Sequence, residues 1–238
     1  MRTLSLLVAA LLLAAAPPVV SAQTNYTKVE TGPSHTLGIS GANGASITTR
    51  QPGNDAVLLY LSLDEQGDAP CDLVLGWWRH DEHDPDGFFT TEFQPCGEQS
   101  SGNGYVAVGG VRGSLGYGGA TFPPPYFEMN TQEGFPIFYA AHGIRACLNS
   151  AGTRVKGIRL FGSAVNQDGA GGVQREPAFK RDFERPNCNT WKLARRCPEG
   201  EVIVGLDIHH TGDNITGFAP KCAEVTATLT RVTERRGG

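Results

Sequence analysis

The chain predicts an all-β fold, built from Gly-rich antiparallel sheets in three similar Cys-bounded units and stapled by three disulfides. Three observations carry this. Apolar stretches are short, rich in β-branched and aromatic residues, and bounded by Gly, Asp, Asn or Pro, as strands are. The cysteines number six, an even count suited to three bridges. A pattern that opens on Cys and closes on Phe, Pro and Cys occurs three times.

The first 22 residues stand apart from that fold. Arg2 gives a positive start, Leu4 to Ala16 an apolar run, and Val20-Ser21-Ala22 a small-residue cleavage site, so Met1–Ala22 reads as an export signal. The run is shorter than the roughly 20 residues of a membrane span, and no later stretch supplies one, so membrane insertion is not expected. Residues 23–238 form one domain, secreted to an extracellular or periplasmic space where disulfides persist.

Composition agrees with many turns, since 31 of 238 residues are glycine, scattered among apolar residues. Charge is divided unevenly along the exported chain. Residues 23–146 hold 5 basic and 14 acidic side chains, and residues 147–238 hold 14 basic and 10 acidic. An excess of acid disfavours nucleic acid as a partner. The basic half either complements the acidic one within the fold or offers a face to an anionic partner.

The units cover about 56–96, 147–188 and 197–222. Their openings are Cys71-Asp-Leu-Val-Leu-Gly-Trp-Trp, Cys147 with Arg154-Val-Lys-Gly-Ile-Arg-Leu-Phe-Gly, and Cys197-Pro-Glu-Gly-Glu-Val-Ile-Val-Gly-Leu. Their closures are Phe93-Gln-Pro-Cys96, Phe183-Glu-Arg-Pro-Asn-Cys188 and Phe218-Ala-Pro-Lys-Cys222. Equal separations of 25 in the outer units predict Cys71–Cys96, Cys147–Cys188 and Cys197–Cys222, each joining the first and last strands of its unit. Each closed loop is worth about 3 to 4 kcal/mol in the chain-entropy picture.

Strands are expected at Ala56–Leu63, Tyr105–Val108, Arg154–Phe161 and Val202–Ile208, where short β-branched or aromatic runs lie between turn residues. Phe179–Arg185 is the expected short helix, ended by Pro186. Gly97–Ala146, rich in Gly and Tyr, is expected to be irregular. A frayed C-terminus is expected from Arg231 to Gly238.

Three pseudo-equivalent glycine-rich sheets resemble the β-prism architecture. Lys156-Gly-Ile-Arg-Leu-Phe-Gly and Cys197-Pro-Glu-Gly-Glu-Val-Ile-Val-Gly-Leu resemble the vitelline membrane outer layer proteins, and Gly205–Gly217 resembles a jacalin-like sheet. The resemblance covers some 60 residues. It implies glycan binding or a role in an extracellular coat, and a fold alone does not choose between them.

The densest polar cluster follows the first unit strand. Trp77 and Trp78 adjoin His80, Asp81, His83, Asp84 and Asp86, and alternation would send one Trp inward and one outward. An outward Trp can stack on a sugar ring while Asp and His take its hydroxyls; the alternative is that both rings pack in the core or at a sheet edge. Asp84-Pro-Asp86-Gly has part of a calcium-loop character, without the remaining spaced ligands. His209 and His210 lie past the glycine of their unit strand as His80 does, so either could share a ligand or metal with it. Crowded carboxylates at Asp81–Gly87 would be relieved by a cation, either bound calcium or basic residues such as Arg154, Lys156 and Arg159.

No motif specifies a reaction. A Gly-x-Ser-x-Gly elbow and a His-Glu-x-x-His pair are both missing, and the cysteines are committed to bridges. Glu92, Glu128 and Glu133 are available for glycosidase chemistry, with nothing to single them out. The reading is a secreted non-enzymatic binding module for a glycan or extracellular polymer, without an obligate cofactor. A secreted hydrolase and a structural coat protein are the alternatives.

Overall fold

The computed structural model describes residues 21–53, 55–66, 69–79, 88–96, 103–108, 138–165 and 180–235. All regular structure among them is β, in fifteen strands with no helix. The expected export signal lies outside the described residues except for Ser21 and Ala22, the first residues of β1. The chain divides into two compact units. The larger, Tyr26–Thr230, holds the first two sheets and most of the third; the described part of the smaller is strand at 21–25 and 231–235.

The first sheet contains β5 (Val57–Gln66), β6 (Ala69–Trp78), β7 (Phe88–Phe93) and β8 (Asn103–Ala107), in the order β7-β6-β5-β8. The second contains β9 (Phe138–Leu148), β10 (Val155–Val165) and β11 (Lys180–Glu184) in the order β11-β10-β9. Its far edge is made by β12 (Thr190–Trp191) and β13 (Arg195–Arg196), which both pair with β9. The third draws on both ends of the chain, with β1 (Ser21–Thr31), β15 (Asn214–Arg235), β14 (Glu201–Thr211) and β4 (Ser46–Arg50) in that order. Two short strands, β2 (His35–Thr36) and β3 (Ser40–Gly41), also pair with β15.

The sheets wall one core, as expected for a β-prism. Leu58, Leu61, Leu73, Leu75 and Trp77 from the first sheet meet Ile144, Ile158 and Leu160 from the second and Ile203, Leu206, Ile208 and Phe218 from the third. A second cluster, with Val57, Leu59, Trp78, Ala140, Val202, Val204 and Val225, also draws on all three.

This two-cluster arrangement explains why consecutive residues such as Val57-Leu58-Leu59 are all apolar. In β5 the register shifts between Leu58, opposite Trp77, and Tyr60, opposite Gly76. In β14 it shifts between Ile203, opposite Cys222, and Gly205, opposite Lys221. One extra residue reverses the in-and-out alternation, so Leu58 and Leu61 face one cluster while Val57 and Leu59 face the other.

All three bridges have the expected partners, with Cα separations of 5.8, 5.6 and 5.5 Å. Their placement differs from the expectation of first strand to last. Cys71 of β6 joins Cys96, just past the neighbouring β7, and Cys147 of β9 joins Cys188, just before its partner β12. Cys197 extends the pairing of β13 with β9 by donating its N–H to the His142 carbonyl, so its bridge to Cys222 of β15 ties the second sheet to the third.

Three further expectations are corrected. The segment expected as a helix, Phe179–Arg185, contains strand β11, whose Asp182 and Phe183 pair with Arg159 and Ile158 of β10. A sheet edge supplies backbone partners that a one-turn helix would lack. Gly97–Ala146, expected to be irregular apart from the strand at Tyr105–Val108, contains that strand as β8 and also most of β9; residues 109–137 lie outside the described set. The expected frayed end is strand through Arg235.

Candidate functional site

The tryptophans expected to frame a site are buried. Trp77 is 0% exposed in the main core, and its indole N–H donates to Thr91 Oγ1 at 2.7 Å. Trp78, 4% exposed, packs in the second cluster. Alternation does send them to opposite faces of β6, but both faces are covered there, so neither ring is open for stacking. Of the two readings, the one with both rings in the core is found, and neither Trp77 nor Trp78 offers a stacking face. His80, Asp81, His83, Asp84 and Asp86 lie outside the described residues.

His209 and His210 do not act as a pair. His209 is 8% exposed, and its Nδ1 has no hydrogen-bond partner among the described residues. Burial lowers its pKa, Asp207 opposes that, and His210 adds to it. His210 is half-buried, its ring tilted against Phe93 at 5.0 Å. Its Nδ1–H donates to the Gly212 carbonyl at 3.0 Å, and its Nε2 shares a hydrogen bond with the Thr48 hydroxyl at 3.1 Å. Both of its nitrogens are thus engaged within the fold.

Arg159, offered above as a partner for the acidic loop, is held two-pronged by Asp182, whose hydrogen bond raises its pKa further. Glu92 is exposed and Arg50 binds its backbone carbonyl, while Glu128 and Glu133 lie outside the described residues.

A partly exposed aromatic beside polar groups, Trp191, occurs instead on the outer face of the second sheet, where Phe161 is 5% exposed beneath Arg196. Alternation turns Ile144, Ala146, Ile158 and Leu160 to the core and leaves Gly143, Arg145, Cys147, Gly157, Arg159 and Phe161 outward. Two glycines notch this face. A Cβ at Gly157 would lie 3.4 Å from Trp191 Cη2 and 3.1 Å from Cys147 Cβ; one at Gly143 would lie 2.9 Å from Arg196 Cγ. The missing side chain at Gly143 lets Arg196 lie across the sheet, while Trp191 is in ordinary van der Waals range of Gly157.

Guanidinium groups and rings then form a layer. Arg159 lies over Trp191 at 4.7 Å and Arg145 at 5.6 Å, while Arg196 lies over Phe161 at 4.2 Å. Arg145 also donates to the Lys192 carbonyl and, at 3.2 Å, to the Trp191 carbonyl, which fixes β12 against β9. Trp191 is the one tryptophan of three left partly exposed. Planar cations on ring faces make a surface that is apolar in its stacking direction and hydrogen-bonding at its edges.

Trp191 is absent from the residues singled out by sequence. The available signal is its neighbourhood, because Trp191-Lys192-Leu193-Ala194-Arg195-Arg196 puts an aromatic among three basic residues between two bridged cysteines.

Two other clusters have structural explanations. Cys71, Asp72 and Cys96 lie close enough to suggest a metal, but the two sulfurs form a disulfide and the Asp72 carboxylate accepts the Cys96 N–H at 2.9 Å. Burial raises the Asp72 pKa, against the lowering effect of that bond. Ser163 Oγ lies 2.7 Å from His142 Nδ1, a nucleophile-and-base pairing in chemistry but one buried on both sides, so no polymer reaches it. No described helix is long and apolar enough to cross a membrane.

No protein-family profile matches the chain, and no curated protein does. Among solved structures it is similar to Calystegia sepium agglutinin, with a TM-score of 0.46 and 14% identity over 80% of this chain and 97% of that one. A mannose-binding jacalin-related lectin from Ananas comosus gives 0.42 and 12% over 79% and 96%. A single-chain recombinant jacalin gives 0.44 and 9% over 81% and 95%. Scores of this size leave the function of this chain to its own residues.

Proposed function

We propose that the protein is a secreted, non-enzymatic carbohydrate-binding module that engages glycans or another extracellular polymer through the outer face of its second sheet. The observation that supports this is the partly exposed Trp191 ring set among Arg145, Arg159 and Asp182. A pyranose presents C–H groups on its faces and hydroxyls at its rim. Such a layer supplies a ring for the first and charged donors and acceptors for the second.

Export is supported by Arg2, the apolar run and the small residues before Gln23, and by three bridges that an oxidising space maintains. In this reading no metal takes part in binding, and calcium at Asp84 and Asp86 is not required.

The test is saturable binding to an immobilised glycan panel, with reducing ends assayed on the same glycans. Trp191→Ala should abolish binding, chelator should leave it unchanged, and no reducing ends should appear. Binding retained in Trp191→Ala, or cleavage of a bound glycan, rejects the proposal.

A further inference from the structure

We infer, resting on the reading that this face binds saccharide, that its ligand is an anionic sugar polymer whose charged groups are received by Arg145 and Arg196. The basic groups of the face are not equivalent. Arg159 is neutralised by Asp182, and Arg195 turns away to donate to the Ile39 carbonyl at 2.8 Å. Among the described residues Arg145 hydrogen-bonds to backbone carbonyls alone, which hold its guanidinium without cancelling its charge. Arg196 is exposed and stacked on Phe161, with no carboxylate beside it among the described residues.

Position brings these two together. Arg196 pairs with Gly143 of β9, two residues from Arg145 on the same face. Diagonal neighbours of this kind lie about 7 to 8 Å apart. Trp191 pairs with Cys147, two residues beyond Arg145 in the other direction. Along β9 the face therefore presents a stacked arginine, a guanidinium held by backbone carbonyls, and an indole in sequence.

The basic surface also runs against the rest of the molecule, because the chain carries a formal net charge of −4. A local excess of arginine on an acidic protein gives a place and an orientation for an anionic ligand. The guanidinium fork matches the two oxygens of a uronate carboxylate, and equally those of a sulfate ester.

The experiment measures binding by titration calorimetry to oligogalacturonate, which carries carboxylates, to dextran sulfate, which carries sulfates, and to uncharged dextran. The inference expects binding to at least one charged probe and none to dextran, with affinity falling as salt rises from about 0.05 to 0.5 M. The probe bound more tightly identifies carboxylate or sulfate as the recognised group. Arg196→Gln, whose side chain makes no hydrogen bond among the described residues, should weaken binding about tenfold. Arg145→Gln should do the same, and Arg196→Gln keeps the test sound if loss of Arg145 loosens β12. Arg154→Gln, the same charge change at the exposed turn before β10, should leave affinity within about twofold. Dextran bound as tightly as the charged probes, with Trp191→Ala abolishing both, overturns the anionic class and leaves carbohydrate binding intact. Anionic binding unaltered in both Arg196→Gln and Arg145→Gln overturns the placement. A folded protein that binds no saccharide rejects both this inference and the function it rests on.

Discussion

The first and second sheets each carry tryptophan beside strand residues of similar pattern, and they use it in opposite ways. In the first sheet Trp77 and Trp78 are consecutive on β6, a strand paired on both sides by β5 and β7 and packed on both faces. In the second, Trp191 sits on the two-residue strand β12 at a sheet edge, partly exposed, with Arg159 and Arg145 against its ring. A tryptophan's availability follows from the number of neighbours its strand has and from what covers its face. The chemistry of the adjacent residues in sequence does not decide it.

The sharpest test of this contrast is stability. Trp77→Ala should lose about 3 to 5 kcal/mol in denaturant unfolding, since it removes a fully buried ring and leaves the Thr91 hydroxyl without its donor. Trp191→Ala should lose only about 1 to 2 kcal/mol, the scale of stacked cation–ring contacts and partial burial. Equal losses would mean that both rings are structural, and the outer face would then have no claim as a site.

A second comparison lies within the third sheet, between adjacent histidines. Because burial lowers the His209 pKa in the folded state, the unfolded chain takes up a proton first as pH falls. The folded protein should therefore lose stability as pH drops below about 6.5, until the lowered native value is passed. His209→Gln should flatten that part of the unfolding profile, whereas His210→Gln should shift the whole profile by removing its bonds to Thr48 and Gly212. A profile unchanged by His209→Gln would contradict the assigned burial.

The smallest effect belongs to Asp72. Burial raises its pKa in the folded state, so wild-type stability falls as pH rises from the unfolded value of 3.8 through the raised native one. Asp72→Asn keeps an oxygen to accept the Cys96 N–H and removes that dependence. The variant should match wild type below pH 3.8 and be slightly more stable at neutral pH, as read by thermal melts across that range. Lower stability at pH 7 would show that the ionised carboxylate strengthens the Cys96 bond by more than its desolvation costs.

How much was legible in sequence differs between fold and site. The bridges were legible because chain repeats preserve spacing, and the Phe-Pro-Cys closures mark it directly. Strands such as β5 and β14 were legible because short β-branched and apolar runs bounded by turn residues are a local signal. Strand β11 was not, since Lys180-Arg-Asp-Phe-Glu is charged on both flanks and becomes a strand through pairing with β10, which supplies Asp182 with Arg159 and Ile158 with Phe183. The site suffered most. Trp77 and Trp78 stood beside a polar cluster in sequence, and that adjacency said nothing of the covering supplied by Val57, Leu59, Val202 and Val204.

The amino-acid sequence by itself determined the class of the fold, the pairing of the cysteines and the uneven division of charge, because each depends on composition or on spacing along the chain. Only the tertiary structure decided that the third sheet takes strands from both chain ends, that Cys197–Cys222 ties two sheets together, and that Gly143 opens a notch for Arg196. Those features arise where residues far apart in the chain pack against each other. Burial and close approach are properties of such contacts, and the local pattern does not contain them.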